Sequence, residues 1–147
     1  MAEPRLRLLT LADRPAWAAL RLALWPNHSV TELGDELPEM LDGDFAGIGC
    51  FDGDRLVGFA EVAVRSYGNG CEFAPAPWLE AVFVLPAYRR QGIGRQLVAA
   101  VEAWARARGF VELGSDAEFD NLTSRLSHAL WGFTETGRTV LFRKALK

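Results

Sequence analysis

One passage constrains the fold more than any other: an apolar stretch, a basic turn with two glycines at two-residue spacing, then a helical pattern. Trp78 to Leu85, broken only by Glu80, reads as a buried strand. From Arg95 to Arg108, Leu97, Val98, Val101, Trp104 and Ala105 fall on one face of a helix. Between them runs Pro86-Ala-Tyr-Arg-Arg-Gln-Gly92-Ile-Gly94. A strand, a glycine turn and a helix start form an anion cradle. The glycines let backbone approach a phosphate closely, and the first helical amides have no internal partner. Arg89, Arg90 and Arg95 add positive charge, so a pyrophosphate-bearing cofactor is expected there. A Walker loop is excluded because no Gly-Lys-Ser/Thr follows the required spacing. A dinucleotide fingerprint is excluded because its third glycine position holds Leu97.

The flanking segments predict a single mixed-sheet α/β domain over residues 1–147, in the order β-α-α-β-β-β-α-β-α-β. Arg5 to Leu11 suits a first strand. Asp13 caps a helix with Pro15 in its first turn and Trp17, Leu20 and Leu24 on its apolar side, ending at Trp25-Pro26. Ser29 or Thr31 caps a second helix that Pro38 kinks or shortens. Phe45 to Phe51 and Arg55 to Arg65 form a hairpin about Asp52-Gly53-Asp54, and Trp78 to Leu85 is the expected central strand. After Gly109, Val111 to Ser115 reads as a short strand. A helix runs from Asn121 or Thr123 to Leu130, and Thr139 to Ala145 reads as a closing strand.

A chain of 147 residues, half of them apolar, buries a sizeable core. No apolar run approaches the ~18 residues of a membrane span. Arg5 and Arg7 interrupt any signal-peptide core. Cys50 and Cys71 lie far apart without a paired motif, which fits reduced thiols and a cytoplasmic setting. His28 and His128 belong to no ligand cluster, so no metal is expected. A net charge of −3 argues against nucleic acid as partner. The basic residues from 89 to 108 are accounted for by a cofactor's phosphates and a solvated helix face. The acidic surplus elsewhere suits a cationic substrate.

The string Arg89-x-x-Gly92-x-Gly94, with Val84-Leu-Pro-x-Tyr-Arg before it, resembles the acetyl-CoA loop of the GNAT N-acetyltransferases. Along nearly the whole chain the likeness narrows to the aminoglycoside 6'-N-acetyltransferases of that superfamily. It rests on Leu24-Trp25-Pro26-Asn27-His28, Tyr67-Gly-Asn69-Gly70, Leu79-Glu80-Ala81-Val82-Phe83-Val84-Leu85-Pro86, Gly114-Ser115-Asp116, Asn121, and His128 to Arg138. The resemblance implies acetyl-CoA as cosubstrate and an aminoglycoside as acceptor. It places the pyrophosphate on Arg89, Arg90, Gln91, Gly92, Ile93, Gly94 and Arg95. The pantetheine arm lies along the backbone of Val82, Phe83 and Val84 as an added strand, with Asn121 against it. Trp25, His28, Tyr67, Glu80 and Asp116 are implied substrate contacts, with Glu80 and Asp116 nearest the reacting amine. A homodimer is implied as well. Two departures bear on substrate range: Gly137 replaces an acidic residue of the related pattern, and Ala81 replaces a glycine.

Acetyl transfer to a primary amine needs a neutral, aligned nucleophile and a donor for the oxyanion. Direct attack is expected, because neither cysteine has a neighbouring histidine in sequence. Glu80 and Asp116 are both candidates for the base, and both also have plainer readings as a strand Glu and a turn Asp. Asn121 can cap its helix while touching the cofactor, Trp25 can be core, His28 can be an exposed loop residue, and His128 reads as a packed structural His. No Tyr lies in the helix after Asn121, so the leaving thiolate is protonated by water or departs unassisted. Two alternatives remain: another small amine or a protein terminus as acceptor, and a non-catalytic acyl-CoA-binding module.

Overall fold

The computed structural model describes residues 3–147. Residues 1 and 2, which the sequence-based domain includes, lie outside the described residues. The chain divides into two compact units, one reaching to Ser115 and one from Asp116 to Lys147.

The first unit is built on a four-stranded sheet in the order β1 (Arg5–Leu8), β2 (Phe45–Asp52), β3 (Arg55–Arg65) and β4 (Ala76–Val84), each neighbour antiparallel. The expected hairpin forms, with Asp52 opposite Arg55 and Gly53 at φ +58°. Alternation along β3 splits it between two layers. Phe59 belongs to an apolar cluster with Leu9, Trp17, Leu20, Leu37, Phe51, Leu56 and Ala81. Gly58 points the other way, and a Cβ there would lie 3.5 Å from Ile93 and from Leu97. Each large side chain fully removed from water in these layers contributes about 1.5–3 kcal/mol before chain entropy is charged against it.

Helix α1 (Arg14–Leu24) follows a 3-10 turn whose capping box joins Thr10 and Asp13. Pro15 sits in the first turn of α1, where its missing N–H costs nothing, and the helix stops before Pro26. Ser29 accepts the Glu32 amide at 3.1 Å and opens α2 (Val30–Asp35). Pro38 then divides the expected second helix, because α3 (Leu37–Asp42) restarts with Pro38 in its first turn. Helix α4 (Ile93–Ala107) buries Ile93, Leu97, Val98, Val101 and Ala105 and ends at Gly109, φ +84°.

Three expectations are corrected. Strand β4 is the edge of the ladder, not its centre. Val111 to Ser115 is not a strand but one parallel bridge, between Gly114 and Trp78. Leu79 N–H reaches Gly114 O at 2.8 Å and Gly114 N–H reaches Pro77 O at 2.9 Å. Glu112 draws the segment elsewhere: its carboxylate accepts the amides of Glu72 (3.1 Å) and Phe73 (2.7 Å) in the loop before β4. In the second unit, α5 (Leu122–Leu130) forms as expected, but Thr139 to Ala145 makes no ladder among the described residues. Apolar content alone does not make a strand, whose backbone groups need an adjacent edge. The mixed α/β class holds, with an antiparallel ladder and a parallel bridge.

Candidate active site

The basic turn is held from both ends. A 3-10 turn, Pro86 to Tyr88, follows β4, and the Tyr88 hydroxyl donates to Asp52 at 2.7 Å on the β2–β3 hairpin. That contact holds the Tyr88 phenol above its ordinary range, so Tyr88 anchors the turn and is a poor acid. Arg90 (φ 63°) and Gly92 (φ 81°) both take left-handed backbone. Curvature of this kind turns successive amides toward one concavity. The first helical bond is Gln96 N–H to Gly92 O, 3.1 Å, so the amides of Ile93, Gly94 and Arg95 precede any intrahelical partner. Arg90, Gln91 and Arg95 are exposed. Arg89 is partly committed: its Nε donates to Val84 O at 2.8 Å and its guanidinium lies 5.6 Å from the centre of the Phe83 ring.

Phe83 pairs with Phe59, and Leu85 N–H reaches Val57 O at 2.9 Å, so these residues turn their polar backbone toward β3. Alternation directs Val82 and Val84 to the outer edge, where Arg89 already finds the Val84 carbonyl. No strand covers that edge among the described residues. An open edge leading into a turn rich in unpaired amides fits an extended arm ending in a diphosphate.

The register explains how Glu80 escapes the sheet. Glu61 faces Ala81 and Val62 faces Leu79, so Glu80 is the extra residue of a β-bulge. Bulges re-aim side chains beside active sites. Here the bulge carries Glu80 to Arg65, which donates through Nε (2.9 Å) and Nη2 (2.7 Å) to the two carboxylate oxygens. Arg65 also lies over Trp78, 4.5 Å from its ring centre.

Beside this pair is a second one that sequence reasoning missed. Glu61 and Arg21 are both buried. Glu61 Oε2 accepts Trp17 Nε1 (2.9 Å) and Arg21 Nε (2.8 Å), and Oε1 accepts Arg21 Nη2 (3.1 Å). Arg21 also donates to Leu33 O (2.9 Å) and to Glu36 (2.8 Å), joining α1, α2 and α3 to β3. Burial pushes the Glu61 carboxyl up, against the pull of the Arg21 and Trp17 hydrogen bonds. Burial opposes the charge on Arg21 too, but Glu61 and Glu36 outweigh it and hold the guanidinium above its ordinary range. The signal was a charge on the buried phase of two apolar elements: Arg21 one turn after Trp17, and Glu61 inside Val57 to Val64.

The remaining expected residues are dispersed. Trp25 is half-buried and packs on the core cluster, with the Arg21 guanidinium 5.0 Å from its ring centre. His28 is exposed, with Nδ1 3.6 Å from Glu32. Tyr67 is exposed on the loop after β3, where Gly68 packs against Trp78. Asp116 is exposed and opens the second unit, directly after Ser115, whose Oγ donates to Leu79 O at 3.2 Å. Asn121 caps α5 by accepting the Ser124 amide at 3.1 Å. His128 meets Trp131 at a tilt and Phe133 edge-on, while Nδ1 meets Ser124 O at 2.7 Å, a packed role. Burial raises both Cys50 and Cys71 above the ordinary thiol range, which disfavours a thiolate nucleophile. Among the described residues, no group of three or more His, Cys, Asp or Glu is placed to hold a metal ion. Among them, too, no helix is long and apolar enough to cross a membrane.

An α/β fold with a bulged edge strand running into a glycine turn and helix defines a class, and residues 14–133 match the model of the acetyltransferase (GNAT) family. The chain belongs to that family. Its relatives include the aminoglycoside N(6')-acetyltransferase type 1 of Stenotrophomonas maltophilia, 41% identical over 99% of this chain and 96% of the relative. The protein of the same name from Serratia marcescens is 44% identical over 89% of this chain and 92% of its own length. Among solved structures, AAC(6')-Iy in complex with the bisubstrate analogue CoA-S-monomethyl-acetylneamine superposes with a TM-score of 0.92. It is 33% identical and covers 99% of this chain and 100% of its own.

Proposed function

We propose that this chain transfers the acetyl group of acetyl-CoA to the 6'-amino group of aminoglycoside antibiotics, and so confers resistance to them. The observation that carries the reading is one strand with two offices. From Val82 to Val84, β4 offers an open edge leading into the amide-rich turn, and two residues earlier its bulge presents an acid. Relatives over 89–99% of the chain carry the aminoglycoside N(6')-acetyltransferase name, and the bisubstrate complex of AAC(6')-Iy joins CoA to an acetylneamine.

When bound, acetyl-CoA supplies an activated thioester. Arg90, Arg95 and the amides of residues 91–95 hold the diphosphate, with Arg89 bracing the turn against Val84. Val82 and Val84 pair with the pantetheine arm, and an amide of this edge holds the carbonyl oxygen as charge develops on it. Trp25, His28 and Tyr67 line the acceptor side, and Asn121 meets the arm. Glu80 and Asp116 attract the ammonium, and one of the two receives its proton. The amine nitrogen forms the new bond to the carbonyl carbon as the carbon–sulfur bond breaks; the nitrogen then gives its second proton to water, and the sulfur leaves as thiolate, protonated by water or departing unassisted. The raised thiols of Cys50 and Cys71 support direct attack over an acetyl-enzyme.

Both units belong to one catalytic domain, which the family match from 14 to 133 supports because it crosses from one to the other. A cytoplasmic homodimer completes the reading.

The test is release of CoA thiol with kanamycin, tobramycin and spermine. Turnover of the two antibiotics but not of spermine supports the proposal. Turnover of spermine alone moves the acceptor to another small amine. Binding of acetyl-CoA without turnover of any amine leaves a binding module.

A further inference from the structure

We propose that Arg65 is a resident counter-cation on Glu80, and that it sets which polycationic acceptors the site takes. This rests on the acetyl-acceptor reading above. Both oxygens of Glu80 are engaged by Arg65, at 2.9 and 2.7 Å, in a two-pronged contact. The guanidinium is held in place rather than floating, because it lies over the Trp78 ring at 4.5 Å. Trp78 is buried and gripped on its six-membered ring by Gly68 and Gly114, where side chains would collide with it. The neighbouring acid on this face, Glu61, is already matched by Arg21. Arg65 therefore decides how much negative charge β4 shows to an arriving ammonium.

An acceptor ammonium must share the Glu80 oxygens with Arg65 or displace it, and a second ammonium close by meets the guanidinium's repulsion. The site then favours acceptors that present one ammonium to Glu80 over those that present two. The side chains of the pair are 41% and 27% exposed, so solvent allows the exchange without unfolding β3 or β4.

The test uses the full chain with tobramycin, by calorimetry and by steady-state kinetics, in R65Q, E80Q, the double variant and R65K. R65Q tightens tobramycin by at least about fivefold at low salt, in KM more than in kcat, and the gain shrinks as salt screens it. The gain disappears when Glu80 is Gln. R65K falls between, because an ammonium makes a point contact where the guanidinium makes two. Unchanged or weaker binding by R65Q, or the same gain without Glu80, overturns the proposal. Absence of aminoglycoside turnover by the unsubstituted enzyme defeats the reaction assignment, and the calorimetric cycle decides the role of Arg65 separately.

Discussion

Replacing Glu61 by Gln tests whether the buried Arg21–Glu61 pair holds the fold together or is ornament. The carboxylate accepts three hydrogen bonds, two of them from Arg21, in a place where both side chains are nearly inaccessible. Neutralising it leaves Arg21 charged and buried, because guanidinium does not lose its proton. Removing one partner of such a pair costs about 3–5 kcal/mol. Glu36, half-exposed and 2.8 Å from Arg21, takes up part of the charge, which places the cost near the lower end. For a chain of this size each kcal/mol moves Tm by roughly 2–4 °C, so Glu61→Gln is expected to lower it by about 6–12 °C. Differential scanning calorimetry reads this directly. Joint replacement by Arg21→Met and Glu61→Leu is expected to cost no more than the single change, since the buried charge is gone; the Trp17 N–H loses its acceptor and the Leu33 carbonyl loses its Arg21 donor, at about 1–3 kcal/mol, while half-exposed Glu36 returns to water. A single-variant shift below about 2 °C would refute the reasoning, as would a double variant clearly worse than the single.

Three further outcomes are expected. Arg89→Ala with Arg90→Ala weakens acetyl-CoA binding by at least about tenfold in calorimetry, and an unaltered affinity would move the phosphate site away from this turn. Asp116→Ala lowers kcat/KM by at least about 100-fold, the usual range for a general base, and unchanged kinetics would remove Asp116 from the reaction. The Arg7 guanidinium, donating twice at 2.8 Å, holds the Asp13 carboxyl below its ordinary range. A lowered folded value gives stability that is present above the unfolded carboxylate range near pH 4 and lost as pH falls through the folded value. Arg7 is partly exposed, so Asp13→Asn should remove about 1 kcal/mol or less at pH 7 and flatten the acid limb of Tm against pH.

The passage from β4 through the turn to α4 was legible because it is local. Gly92 needs left-handed backbone and α4 repeats its apolar side with helical period, and both facts sit within adjacent residues. Pro26 and Pro38 were legible for the same reason, although Pro38 restarts a helix where a kink or shortening was expected. The pairing of Arg21 with Glu61 spans 40 positions, and neither periodicity nor propensity carries that distance. The charges themselves were visible on apolar phases, but not their meeting. Glu80 stood out as an acid in an apolar strand, while its release by a bulge depends on the register with β3. Thr139 to Ala145 shows the reverse: a segment with an apolar run, Val140 to Phe142, read as a strand but pairs with no ladder among the described residues.

Because Glu80 is supernumerary in its ladder, excising it would close β4 onto β3 while leaving the pairs of Ala81 to Val84 in place. On the function proposed above, the acid and the donor-binding edge are thus separable along one stretch of chain. Under that proposal, changes at the bulge retune how the acceptor amine is met while the edge that holds the donor stays as it is.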